Sequence, residues 1–194
     1  VPYLQLPGLK IKRNKSLQML LMTTERRTSL RPKLKSPVIS IGSPSLFSYP
    51  LVILSASSGF KPLGQKSIGR LRMYLSAGGL LFANMAEGSK GQGFDRSFRR
   101  LAAKLFPRQP LRRLSSKHTL FKSFYITRRY GGRVINRPYV EGVSRDDRAM
   151  IVYSMNDHCG AWSRDSFGNW LYPVVPGGAS QREHAFRFGI NLLM

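Results

Sequence analysis

Ser67 to Glu87, SIGRLRMYLSAGGLLFANMAE, is the stretch that decides the fold. Ile68, Leu71 and Leu75 recur at helical spacing, so its first half reads as an amphipathic helix with one apolar face. Gly78 and Gly79 follow, and both can take the positive φ that stops a helix. LLFA (80–83) is then an apolar run of strand length. A helix, a two-glycine turn and a buried strand in immediate succession predict an α/β sheet.

The same grammar extends in both directions. Upstream, YLQL (3–6) is a short apolar start, and Ser16 to Thr24 carries Leu17, Leu20 and Leu21 at helical spacing. PVISI (37–41) predicts a strand, SPSLFSYP (43–50) a loop whose prolines forbid a helix, and LVIL (51–54) a strand buried on both faces. Downstream, Asp95 is placed to cap a helix in which Phe94, Phe98, Leu101 and Leu105 share one face, ending before Pro107. AMIVYS (149–154) is another apolar strand. Ser180 with Glu183 predicts a capping box for a last helix that buries Ala185, Phe186, Ile190 and Leu193. Two segments are irregular. Residues 108–147 predict an insertion over the sheet edge, with short strands near Phe124–Thr127 and Arg133–Asn136; residues 163–180 form a Gly/Pro-rich excursion holding Trp170 and Tyr172. Strands alternating with helices predict one doubly wound, mainly parallel α/β domain over residues 1–194.

Charge narrows the partner. Lys and Arg number 32 against 9 acids, a net charge of +23, so the surface field attracts polyanions such as nucleic acid, anionic lipid or anionic glycan. Glu25 is the only acid before Glu87, and none lies between Asp95 and Glu141. Ser36 to Phe60 is free of charge, yet Pro37, Pro44 and Pro50 and its many serines fit two core strands better than a membrane helix. Cys159 is the single cysteine, which excludes an internal disulfide framework and every multi-cysteine zinc site. The chain begins with Val1, as a processed product or a fragment would, so any signal peptide lies outside it.

Several segments, in this order and spacing, resemble a bacterial family of domains of unknown function: LFSYP (46–50), LRMYLSAGGLLF (71–82), FDRSFRRLAAKLFP (94–107), HTLFKSFY (118–125), DRAMIVYSMNDHCGAW (147–162) and REHAFRFGINLLM (182–194). The resemblance covers nearly the whole chain. It implies a fold similar to class I glutamine amidotransferases, themselves flavodoxin-like, and a protein exported to the periplasm or attached to the cell envelope. Such proteins are often encoded beside von Willebrand A-type domain proteins and AAA-type ATPases, and no activity is implied. Members of that family place acidic residues directly after the strand that follows the two glycines; here Asn84 and Met85 stand there. Ala56, Ser57 and Ser58 likewise replace a Gly-rich or His-bearing turn.

In an open α/β sheet, ligands bind beyond the carboxyl ends of the strands. Ser57, Ser58, Asn84, Glu87, Asn156 and Asp157 all follow predicted strands and are the candidate ligand-binding residues, with Trp162 beside them. Glu87 and Asp157, with His118 reaching in from the covering segment, are the candidate acid/base set of a hydrolase-like enzyme; the alternative is that they cap helices and satisfy loop amides. The nucleophilic cysteine of an amidotransferase would follow the two-glycine strand, where Asn84-Met85-Ala86 stands instead, so Cys159 is expected to be structural. His118, His158 and His184 show no metal-ligand spacing, and no phosphate loop occurs, so no metal or cofactor is expected. The basic run from Arg96 to Arg137, interleaved with Phe98, Phe106, Phe121, Phe124 and Tyr125, has the composition of a nucleic-acid patch but no base-reading motif. Trp162 and Trp170 flank the Gly-rich excursion, either as sugar-stacking platforms or as buried anchors. The expectation is therefore a non-catalytic binding or assembly module of the bacterial envelope. Its partners would be other envelope proteins, an anionic polymer or a membrane surface. The alternatives are the hydrolase-like enzyme and a non-specific nucleic-acid binder.

Overall fold

Alternation along the central strands divides the apolar residues between two cores. The computed structural model describes residues 1–9, 11, 15–86 and 92–194. In β3 (Leu51–Ala56), Val52, Leu54 and Ala56 enter one core while Leu51 and Ile53 enter the other. β4 (Leu80–Met85) and β7 (Arg148–Ser154) divide in the same way, with Phe82 and Val152 facing opposite to Ala83 and Tyr153. A strand whose two faces are both covered needs continuous hydrophobicity, as in LVIL and MIVY.

With β1 (Tyr3–Gln5), β2 (Val38–Ser40), β5 (Arg112–Arg113) and β6 (Glu141–Arg145), the described residues form a seven-stranded sheet ordered β2-β1-β3-β4-β7-β6-β5, parallel from β2 to β7. Helices α2 (Gln65–Ser76) and α3 (Gln92–Leu105) contribute Leu71, Leu75, Phe94 and Phe98 to one core. Helices α1 (Ser16–Arg27), α4 (His158–Trp162) and α5 (Gly178–Leu193) contribute Leu17, Leu20, Trp162, Phe188 and Ile190 to the other. This is an α/β architecture compatible with a doubly wound fold. Ser36 to Phe60 holds β2 and β3, and among the described residues no helix is long and apolar enough to cross a membrane.

Local signals are satisfied by different means from those the sequence suggests. Only Gly78 has a positive φ, +114°; Gly79 is needed because any Cβ there would collide with the Tyr74 ring, whose hydroxyl donates to the Tyr49 carbonyl at 2.8 Å. Pro44 does not forbid a helix but opens a short 3-10 turn, Pro44–Ser48, where its missing N–H costs nothing. Asp95 is not a cap. It lies inside the first turn of α3, pairs with Arg99 at 2.8 Å and accepts the Tyr153 hydroxyl at 2.9 Å. The Ser180–Glu183 capping box is absent as well: α5 starts at Gly178, the Gln181 Oε1 accepts the Gly177 N–H at 3.0 Å, and Glu183 instead pairs with Arg27 at 2.8 Å and Arg187 at 2.9 Å.

The largest correction concerns residues 108–147, which do not merely cover the sheet edge but extend it. β5 (Arg112–Arg113) and β6 (Glu141–Arg145) join β7 antiparallel, through a two-residue turn in which Asp146 and Asp147 both have positive φ. Neither predicted strand exists. The backbone near Phe124 is captured by Asn191 of α5, whose Oδ1 accepts the N–H groups of Phe124 and Tyr125. That near Arg133–Asn136 pairs with the loop after β7, with Val134 N–H donating to the Asn156 carbonyl at 3.2 Å.

Candidate functional site at the carboxyl edge of the sheet

The polar residues at the ends of β3, β4 and β7 do converge, but they face inward. Asn84 Nδ2 donates to Ser55 Oγ at 2.9 Å, and its Oδ1 accepts the backbone N–H groups of His158 at 2.8 Å and Cys159 at 3.4 Å, so it serves the amino end of α4. Ser154 Oγ lies 2.9 Å from His158 Nδ1 and accepts the Asn156 N–H at 3.1 Å. Asn156 Oδ1 accepts the Arg137 N–H, while its Nδ2 donates to the carbonyls of Tyr130 and Arg137. Ser55, Asn84, Ser154, Asn156 and His158 are all buried to within 1% of complete. Buried polar groups must be paired, and these are paired with one another and with backbone, except for His158 Nε2, which is buried and has no hydrogen-bond partner among the described residues. Asn84 and Asn156 are thus structural residues rather than ligand contacts.

Asp157 is held in the left-handed region, φ 53° and ψ 59°, as the amino cap of α4. Its Oδ1 accepts the Gly160 N–H at 2.9 Å and its Oδ2 takes the Arg133 Nε at 2.6 Å. Arg133 in turn lies over the Tyr172 ring. The carboxylate therefore ties three segments together.

His118 does not reach it. The ring caps a 3-10 turn (Thr119–Phe121), with Nδ1 accepting the Leu120 N–H and Nε2 3.0 Å from Ser144 Oγ. Ser144 pairs with Ala149 at the start of β7, whereas Asp157 follows its end, a separation of roughly 20 Å along the strand at about 3.3 Å per residue. The trio of Glu87, Asp157 and His118 therefore does not assemble around Asp157. Glu87 itself lies outside the described residues.

Cys159 is buried in α4, and burial pushes its thiol up to about 12; burial pushes the neighbouring His158 down to about 3. The imidazole is tilted against Phe188, ring centroids 4.4 Å apart, and its Nδ1 is bonded to Ser154, not to the thiol. A neutral thiol beside a neutral imidazole with no bond between them is no nucleophile–base pair. Trp162 is likewise not a ligand platform: it is fully buried and its indole N–H donates to the Ala185 carbonyl at 2.9 Å. Among the described residues, the predicted ligand residues that keep solvent access are Ser57 and Ser58.

Access to solvent lies next to those serines. An open crevice of about 950 Å³ is lined by Gly8 after β1, by Gly59 to Pro62 after β3, and by Gly93, Arg96, Ser97, Arg99 and Arg100 of α3. The loop and helix meet backbone to backbone, since a Cβ on Gly59 would lie 2.9 Å from the Gly93 carbonyl oxygen, and Ser97 Oγ fixes the loop by accepting the Phe60 N–H at 3.1 Å. Arg99 is neutralised by Asp95 and by Glu141 at 2.6 Å. Lys61, Arg96 and Arg100 are exposed, and no carboxylate pairs with them among the described residues. The family model of a domain of unknown function, DUF4159, matches residues 2–194. The chain belongs to the DUF4159 family. No curated protein matches it.

For this DUF4159 domain, sequence reasoning names the basic run that begins at Arg96 but misses Lys61 and the role of Arg100. The available signal is positional for Lys61, which lies in the loop after a predicted strand, whereas Arg100 lies within a predicted helix. That the loops after β1 and β3 meet α3 depends on strand order, which no local pattern encodes.

Proposed function

We propose that this DUF4159 domain is a non-catalytic binding module of the bacterial cell envelope that takes an anionic partner in the crevice beyond β1 and β3. One observation carries the reading: among its described lining residues the crevice has four cations, Lys61, Arg96, Arg99 and Arg100, and no carboxylate. The five parallel strands run 2-1-3-4-5 when numbered by their order in the chain, the flavodoxin-like order, and in such sheets ligands enter where the winding reverses, here between β1 and β3. The same order supports the finer reading of a class I glutamine amidotransferase-like fold. Placement in the envelope rests on the family resemblance. Against a hydrolase stand the distance of His118 from Asp157 and the internal pairing of Asn84, Asn156 and Asp157.

Long-chain inorganic polyphosphate and phosphatidylglycerol vesicles, titrated between 50 and 200 mM salt, test the proposal. Engagement of the three unpaired cations releases about three counterions, so affinity should fall roughly 20-fold across that range. Binding that is absent at low salt, or that is indifferent to salt, contradicts it.

A further inference from the structure

We propose a second, separate site for an amphipathic anion, a carboxylate or phosphate monoester carried on an apolar body, in the cavity between the end of α1 and the start of α5. The cavity measures about 600 Å³, within the usual size of small-ligand sites. Met19, Val174 and Phe186 give it an apolar floor, and Arg26, Arg164 and Arg182 a cationic rim.

The charge balance of that rim is the decisive feature. Arg182 is only 8% exposed, and its guanidinium donates to the carbonyls of Ala161 and Tyr172, which pair two of its hydrogens without neutralising its charge. Arg164 donates to the Gly168 carbonyl, and its Nε is buried with no hydrogen-bond partner among the described residues. Both guanidiniums lie over Trp170, 3.7 and 4.1 Å from the ring centroid, so two like charges are gathered on a single indole. The one carboxylate in the lining, Glu183, is already committed to Arg27 and Arg187. Burying a guanidinium without a counter-charge is costly, so the arrangement favours an anion supplied from outside. Gly178 and Ala179 of α5 also line the cavity, adding the positive end of a 16-residue helix dipole. The apolar floor selects an anion with a hydrophobic body over a bare ion.

Trp170 is 41% exposed whereas Trp162 is fully buried, so a change in intrinsic fluorescence reports the site. Decanoate and decyl phosphate should quench or shift the emission saturably, while decanol and inorganic phosphate should bind at least tenfold more weakly. R164Q, and independently R26Q, should weaken the two amphipathic anions about tenfold, whereas K117Q should leave them unchanged because Lys117 is exposed and lines neither the cavity nor the crevice. Equal binding of decanol, equal binding by folded R164Q and R26Q proteins, or no saturable change with either anion overturns the proposal.

Discussion

Replacing Asp157 by alanine should lower the free energy of unfolding by about 4 kcal/mol, as the sum of three losses. Removing one partner of a buried ion pair costs about 3–5 kcal/mol when the other is left uncompensated, and Arg133 is only 19% exposed at its side chain. The Gly160 N–H loses its cap, worth about 1 kcal/mol, and alanine tolerates the left-handed backbone of position 157 about 1 kcal/mol less well. These terms overlap, and partial hydration of Arg133 trims the first. Asparagine keeps one amide-accepting oxygen and the tolerance for positive φ but not the charge opposite Arg133, so Asp157→Asn should lose about 3 kcal/mol, the part that belongs to the ion pair. Urea denaturation of the parent and both variants measures this. An alanine variant within about 1 kcal/mol of the parent would contradict the structural role assigned to this carboxylate.

Acid should destabilise the fold well above the range in which carboxylates titrate. Burial holds His158 neutral down to about pH 3, whereas in the unfolded chain it protonates near its ordinary value of 6.5. Below pH 6.5 the unfolded state therefore binds a proton that the native state refuses. Stability is complete above pH 6.5 and falls by about 1.4 kcal/mol per pH unit on the way to pH 3. His118 and His184 are also lowered, in both cases chiefly by burial, and add to the slope in the same direction. Between pH 6.5 and 4.5 the loss from His158 alone should be about 2–3 kcal/mol. Denaturation midpoints at one-unit intervals, with His158→Gln as the variant that cannot titrate, test the assignment; an unchanged slope in that variant would refute it.

Legibility followed the locality of each interaction. The helix of 67–76 is visible because period 3.6 writes directly into the sequence, and LLFA, LVIL and MIVY are visible because a strand covered on both faces must be apolar throughout. β6 is not visible, since EGVSR carries neither alternation nor an apolar run, and its strand conformation comes from pairing with β7 and β5. The false strands near Phe124 and Arg133 fail for a non-local reason: Asn191 and Asn156, tens of residues away, take over their backbone groups. Of the polar residues after the strands, Asn84, Asn156 and Asp157 face inward. Whether Asn84 faces a ligand or the amides of His158 and Cys159 depends on α4 turning back beneath it, and that turn is set by the left-handed Asp157. Lys61 became interesting only when the sheet order brought its loop against α3.

The central claim is that anion binding belongs to the crevice and not to the general positive charge. Two triple variants separate these possibilities, each lowering the net charge from +23 by three: Lys61, Arg96 and Arg100 changed to Gln, and the exposed Lys33, Lys35 and Lys117 changed to Gln. Polyphosphate affinity measured side by side at one ionic strength should fall at least tenfold in the crevice variant and less than about threefold in the other. Equal losses in the two variants would show that the overall field alone attracts the anion and that the crevice is not its site.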